Sequence, residues 1–404
     1  MSEPAIFGTH DEATLRQLRD VASRAEKAAL MADGHVGYVM PIGGVAAYEN
    51  KVSPVGVGFD IACGNCAIRT DLALAGLLRG REPGAALGEI GDEIQSTLSF
   101  GIGRTNRSGD APTDHPLFQA DAWESLPRKD REPLREKARS QLGTIGSGNH
   151  YVDVFADEED RVWVGVHFGS RGLGHTVASG FMALGQGQPW GARVPEKESL
   201  FELSKPLGQD YWTLMELAGT YAYAGREWVA RKVVGILGGE EQELVHNHHN
   251  FAWREQHGGR EFVVIRKGAT PAFPGQRGFV GGSMGDDAVI LEGASAGSDR
   301  QQAALFSTVH GAGRVMSRTE ARGKIHRKSG KVLKPGKVTW EMLRDWLSRR
   351  GVILKGGGLD EAPHAYRRLD EVLAAQGDTV RVLHRLRPLV VVMAGADEFD
   401  PYRD

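Results

Sequence analysis

HYVDVFADEEDRVWVGVHF, residues 150–168, is the stretch from which the fold can be read. Residues 150–155 and 161–168 alternate in character on either side of the acidic turn ADEED, which predicts a β-hairpin. Strand parity then fixes which way His150 and His167 point, and a shared face is sterically possible. EFVVIRKG (261–268) and LRPLVVVMAG (386–395) read as further strands, while 11–32, 199–234, 338–349 and 366–386 show apolar recurrence at helical spacing. Neither a solenoid repeat nor a Pro- or Ser-rich linker divides the chain. The expectation is a single α+β domain over 1–404, with Gly-rich loops converging between its sheets.

Composition narrows the class. The chain has 404 residues, 41% hydrophobic and 25% charged, which excludes wholesale disorder. At this length about three quarters of the unfolded surface can be buried. No apolar run approaches ~20 residues, so no transmembrane helix and no membrane partner is expected. The first thirty residues lack an apolar signal region, and two cysteines cannot build a disulfide scaffold; both point to a reducing cytoplasm. Net charge is −3, so any nucleic-acid contact must come from a local patch. Glycine is the excess, 54 residues, clustered at 43–66, 143–150, 167–175, 278–287 and 310–314 beside polar residues, as in loops that approach a ligand closely.

Several constellations could carry chemistry. Asp60 and Cys63 lie three apart in one loop and can offer an oxygen and a sulfur to one centre; with imidazole from His150, His167 or the pair His248-His249, the set suits Zn, Mn or Fe. Cys63 and Cys66 also fit a redox C-x-x-C. In HGAGR (310–314), His310 could attack phosphorus while backbone N–H groups and Arg314 hold phosphate oxygens. GASAG (293–297) matches a nucleophile elbow, but the HGAG stretch follows the serine instead of preceding it, which argues against acyl chemistry. Arg266-Lys267 and GGSMG (281–285) are weaker phosphate-binding features. The stretch 314–337 carries Arg314, Arg318, Arg322, Lys324, Arg327, Lys328, Lys331, Lys334 and Lys337 against the single acid Glu320, the footprint a polyanion needs.

DGHVGYVMPIGGVAAYENKVSPVGVGFDIACG (33–64), GTIGSGNHYVDV, VHFGSRGLGH, HHN, RKGAT, GGSMG, HGAGRVMSR and DEAPHAYRRLDEV (360–372), in that unbroken order, resemble the RtcB RNA-splicing ligases. The resemblance implies a compact α+β domain. It also implies GTP- and Mn2+-dependent joining of RNA ends, tRNA halves or cleaved RNA, from a 3′-phosphate or 2′,3′-cyclic phosphate to a 5′-hydroxyl. It places two Mn2+ per chain on a bridging Cys63, one with Asp60 and His150, the other with His167 and His249. His310 would become the guanylylated nucleophile. Nucleotide contacts would fall on Asn149, His150, Tyr151, Val152, Asp153, His249, Asn250, Gly281, Gly282, Ser283, Met284, His310, Gly311, Ala312 and Gly313. Cys66 has no role in that scheme. Alternatives within the same frame are a guanylyltransferase that caps 3′-phosphates, a two-metal cyclic phosphodiesterase, and a non-catalytic RNA-binding paralogue.

The chain departs from the family pattern at the nucleotide end. Asp153 stands where a glutamate is usual, and Met393-Ala394-Gly395 stands where Val-Lys-Gly is common, ahead of the acidic tail 396–404. Asp286 and Asp287 replace small hydroxyl residues, and Ile265 precedes Arg266-Lys267 in place of histidine. The expected ligands and His310 are intact.

Overall fold

The computed structural model describes residues 3–325, 332–396 and 398. Its main sheet runs in the order Arg277–Val280, Ala288–Gly293, Val380–Gly395, Tyr151–Ala156, Arg161–Phe168, Gly64–Ala73 and Glu241–His248. Ile353–Gly357 adds to it in parallel with Val380–Gly395. Side chains draw the first strand to the far side of the sheet: Asn65 Nδ2, on the penultimate strand, donates to the Phe279 carbonyl at 2.8 Å, and the Phe279 N–H donates to Asn247 Oδ1, on the last strand, at 3.1 Å. The sheet therefore nearly closes on itself. A second sheet runs Ala5–Ile6, Lys27–His35, Ile42–Tyr48, Arg260–Lys267 and Asn250–His257. The architecture is mixed α and β, as the sequence led one to expect.

The hairpin is present, with Tyr151 opposite His167. Val152, Val154, Val164 and Val166 bury one face against Cys66 and Ile68, while Phe155 and Trp163 bury the other against Phe279 and Leu386. Both faces are dry, which is why these strands contain so few charged residues. The helix Pro206–Leu237, expected over 199–234, covers the first of those faces through Val229, Ala230 and Val233.

Two helix expectations are corrected. Residues 11–32 hold a helix only over Glu12–Ala22; Lys27–His35 is a strand, buried across its middle. A short, fully buried apolar run has no periodicity by which helix and strand can be told apart. Likewise 366–386 is helical only over Leu369–Gln376, and the strand Val380–Gly395 begins earlier than its hydrophobic half suggests, because its first half is partly solvated. The Gly-rich 167–175 is not all loop: the helix Arg171–Gly185 starts within it. Its glycines serve packing, since a Cβ at Gly180 would lie 2.3 Å from the Trp190 ring. Among the described residues, no helix is long and apolar enough to cross a membrane.

Candidate active site

Cys63 sits at the mouth of the main sheet, just before the strand Gly64–Ala73, on a turn that puts Ala62 at φ 61°. The antiparallel neighbours bring histidines to the same end. His167 is next to last in its strand, His150 immediately precedes the hairpin, and His249 follows Glu241–His248. Two groups of ligand atoms result, Asp60–Cys63–His150 and Cys63–His167–His249, in each of which all atoms lie within 4.8 Å of one another. They share the Cys63 sulfur, which is 3.8 Å from His150 Nε2 and 3.7 Å from His167 Nε2.

The outer nitrogens of these rings are already engaged. His150 Nδ1 faces the Ile145 carbonyl at 2.9 Å and His167 Nδ1 faces Asn65 Oδ1 at 2.7 Å. Asn65 Oδ1 thus selects the His167 tautomer protonated on Nδ1, with Nε2 turned inward. The Ile145 carbonyl favours the same for His150, whose Nδ1 also lies 3.2 Å from Arg171 Nη1 and whose Nε2 faces Asp60 Oδ2 at 3.1 Å, the position a cation between them would take. Burial holds His167 and His249 well below the ordinary imidazole value, so both rings are neutral donors. Burial pushes the Asp60 carboxyl up, but the hydrogen bond and charge of His150, with Arg171, outweigh it and hold the group at about 2. Burial and the neighbouring Asp60 charge push the Cys63 thiol well up; a bound cation reverses this by requiring thiolate. His249 Nδ1 is buried without a hydrogen-bond partner, an omission that a coordinated cation would repair. Gly169 leaves the room Asp60 needs, for a Cβ there would fall 2.1 Å from the carboxylate. The residues present fit a pair of cations bridged by sulfur.

His310 is delivered from the second sheet's side of the molecule, after the short strand Ser307–Val309, and its ring centroid lies 5.0 Å from that of His249. Asp33, fully buried at the end of Lys27–His35, takes three hydrogen bonds on one oxygen. They come from His310 Nδ1 at 2.6 Å, the His310 N–H at 2.9 Å and the Gly311 N–H at 3.2 Å. Burial alone would raise the Asp33 carboxyl, but the charge and hydrogen bonds of His310 carry it below the usual carboxylate range. The arrangement fixes the Nδ1–H tautomer and leaves a lone pair on Nε2, the form in which an imidazole can act as a nucleophile. Gly313, at φ 74°, packs against the Asp33 backbone so closely that a Cβ would meet its carbonyl at 2.3 Å.

A family model described as tRNA-splicing ligase RtcB matches residues 14–394. The chain belongs to the RtcB family. It is 32% identical to the RNA-splicing ligase RtcB of Escherichia coli K12 over 90% of this chain and 89% of that protein. It is 31% identical to the tRNA-splicing ligase RtcB of Archaeoglobus fulgidus, over 90% and 86%. With that of Nanoarchaeum equitans the identity is 30%, over 97% and 94%.

Around this RtcB centre the other expected contacts divide. Asn149 is exposed and its Nδ2 reaches His167 Nε2 at 3.3 Å. Tyr151 and Asp153 point to one face of the hairpin with buried, unpartnered oxygens, and burial pushes the Asp153 carboxyl well up. Val152 turns the other way into the core. Gly281 lies over the Tyr151 hydroxyl, where a Cβ would come within 2.2 Å, and its carbonyl faces Gly311. Gly282 approaches the Asp287 backbone, Ser283 faces Asp286, and Met284 packs beside Gly357. Asn250 accepts from the Gly268 N–H at 2.7 Å and braces the loop. Ala312 is buried.

Other sequence features lie elsewhere. Of the pair His248-His249 only the second turns to Cys63; His248 is held by Arg226 and stacks on Tyr223. Cys66 is a buried core residue whose thiol burial pushes to about 12, so the redox pair has no second reactive sulfur. Arg266 is buried against Glu255 at 2.6 Å and is unavailable to phosphate. Ser295 lies on an exposed turn leading only to the short helix Asp299–Ala303, which is not an elbow. Asp286 pairs with Arg350 and Arg368.

The basic stretch is less free than its composition suggests. Arg314 and Arg318 pair with Glu361, Arg322 with Asp360 at 4.0 Å, and Lys337 with Glu320. Lys324 and Lys334 are exposed and directly opposite in a hairpin. Arg327, Lys328 and Lys331 lie outside the described residues, as does most of the acidic tail.

Sequence reasoning missed Asp33. It opens the first motif, yet its partner is 277 positions away, and an acid beside Gly34-His35 signals no chemistry by itself.

Proposed function

We propose that this chain is a GTP- and Mn2+-dependent RNA ligase that joins 3′-phosphate or 2′,3′-cyclic phosphate ends to 5′-hydroxyl ends, in tRNA splicing or RNA repair. The observation that carries the reading is His310 pinned through Nδ1 by the buried Asp33 carboxylate, with its ring 5.0 Å from that of His249 in the Cys63–His167–His249 group. His310 Nε2 attacks the α-phosphorus of GTP, an N–P bond forms, and pyrophosphate leaves. Asp33 stabilises the positive charge that develops on the ring. The RNA 3′-phosphate then takes GMP from the histidine, and the 5′-hydroxyl oxygen attacks the activated phosphorus, expelling GMP. Asp60, Cys63 and His150 would hold one Mn2+ and Cys63, His167 and His249 the other. When bound, these ions supply charge neutralisation on the phosphates and a water nucleophile for opening cyclic ends. Tyr151, Asp153 and the Gly281–Gly311 approach would form the wall of the base pocket.

The test is covalent labelling by GTP carrying an α-phosphate label. Acid-labile, alkali-stable incorporation is expected with Mn2+, and none in His310→Ala. Failure of the wild type to label with any divalent metal would overturn the proposal; cyclic ends still hydrolysed by that unlabelled wild type and by His310→Ala, but not by Cys63→Ala, would then leave a phosphodiesterase.

A further inference from the structure

Arg226 is a buried cation that the chemistry above does not use. It lies on the helix Pro206–Leu237 with no exposed surface, and its acceptors are uncharged. Nη1 donates to the Ala62 carbonyl at 2.9 Å and to the Phe168 carbonyl at 2.6 Å. Nη2 meets His248 Nδ1 at 2.8 Å, and Nε donates to His246 Nε2 at 2.8 Å. Burying a guanidinium without a bonded carboxylate is costly, and a packed apolar side chain would serve the fold as well. Its partners follow a pattern, however. Ala62 precedes Cys63, Phe168 follows His167, and His248 precedes His249. One rigid fork thus grips the chain neighbour of every member of the Cys63–His167–His249 group. It also holds the carbonyl of Ala62, the residue whose left-handed turn aims Cys63. The Asp60–Cys63–His150 group is supported differently. His150 rests on the Ile145 carbonyl, and Asn250 Nδ2 donates to the Asp60 carbonyl at 3.4 Å.

We propose that Arg226 is a positioning residue that sets one of the two cation positions, that of Cys63, His167 and His249, and leaves the Asp60–Cys63–His150 position to its own supports. The inference rests on the two-cation reading above. Its test uses the full chain and Mn2+ alone, without GTP or RNA. Calorimetry and electron paramagnetic resonance should show two tight equivalents and a spin-coupled pair in the wild type. In Arg226→Met, one equivalent keeps its affinity and the other weakens by about 10- to 100-fold, the range for residues that orient metal ligands. The coupled signal gives way to that of isolated Mn2+ until metal is raised, and Arg226→Lys is intermediate. Asp60→Ala should retain the position that Arg226→Met weakens, and the double variant should retain neither tightly.

Guanylylation by Arg226→Met should recover at high Mn2+, a shift in metal requirement and not in maximal rate. If Arg226→Met does not fold by circular dichroism, His248→Phe removes one acceptor, keeps the ring's shape, and should weaken the same equivalent. Unchanged binding in the variants, equal weakening of both equivalents, or loss of the Asp60 position instead would overturn the inference while the two-cation reading stands. A wild type that binds no Mn2+ would overturn both.

Discussion

Replacing Asp33 by asparagine isolates the orienting carboxylate from everything else in the site. The side chain keeps its volume, and an amide oxygen can still accept from the His310 and Gly311 N–H groups, so the backbone of the loop has reason to stay in place. What is lost is the negative charge 2.6 Å from His310 Nδ1. A hydrogen bond to a charged group is worth about 1.5–3 kcal/mol. This one strengthens as the ring becomes cationic during attack on phosphorus, so most of that value falls on the transition state. At about 1.4 kcal/mol per tenfold, guanylylation should slow by about 10- to 150-fold. The assay is the single-turnover rate of label transfer from α-labelled GTP at saturating Mn2+, with metal binding measured in parallel and expected to be unchanged. There is a stability signature as well. The folded carboxyl of Asp33 lies below its usual value, so its stabilisation is present above the unfolded value of ~3.9 and is lost as pH falls through the folded one. Asp33→Asn should therefore melt below the wild type at neutral pH and converge with it in acid. A variant that labels within about threefold of the wild-type rate would show that Asp33 does not orient the nucleophile.

Two further perturbations bear on the proposed nucleotide wall and the proposed RNA surface. Asp153 has the opposite sign from Asp33: burial raises its carboxyl, so the wild type loses stability as pH rises from ~3.9 toward the folded value. In the absence of nucleotide, Asp153→Asn should match or exceed the wild-type melting temperature, with the gap widening as pH rises above ~3.9 in a thermal-shift series; a variant less stable throughout would refute this. Lys324 and Lys334 face each other across a hairpin, an arrangement that like charge disfavours unless a polyanion lies over it. The pair Lys324→Glu and Lys334→Glu should weaken RNA binding and flatten its salt dependence, by ~0.7 per contact for single strands, while self-guanylylation persists; unchanged affinity would make this hairpin a solvated surface.

The sequence revealed the hairpin and the long helix because both faces of each strand and one face of the helix obey a single burial rule over their whole length. It failed at Lys27–His35, whose KAALMADGH has no β-branched or aromatic residue to mark a strand, and at the start of Val380–Gly395, which is only half covered and lies outside the apolar run. The site divides along the same line. Asp60 and Cys63 sit in one loop, and His150 and His167 flank one hairpin, so local spacing could suggest that they meet. Asp33 and Arg226 act on residues brought near only by tertiary folding, and nothing local distinguishes Asp33 from an ordinary strand end or Arg226 from a surface helix position.

Why His310 stands beside the Cys63 cluster follows from how the chain changes sheets. Glu241–His248 is the last strand of the main sheet and Asn250–His257 the edge of the second, so His249 is the residue at which the backbone passes from one to the other. Cys63, His150 and His167 approach that point from the main sheet; Asp33 approaches from the second, and His310 follows Ser307–Val309, which pairs with Ala269–Pro271. His249 touches both groups, stacked on His167 at 5.2 Å and edge-on to His310 at 5.0 Å. A site at such a seam gains precision only if both sheets are rigid there. The fully buried Arg226 secures the main-sheet side through backbone carbonyls, and Asp33, itself bracketed by Arg367 on the Ala32 and Gly34 carbonyls, secures the other. Loosening either side would change the distance between His310 and the Cys63 cluster without removing a single side chain from either.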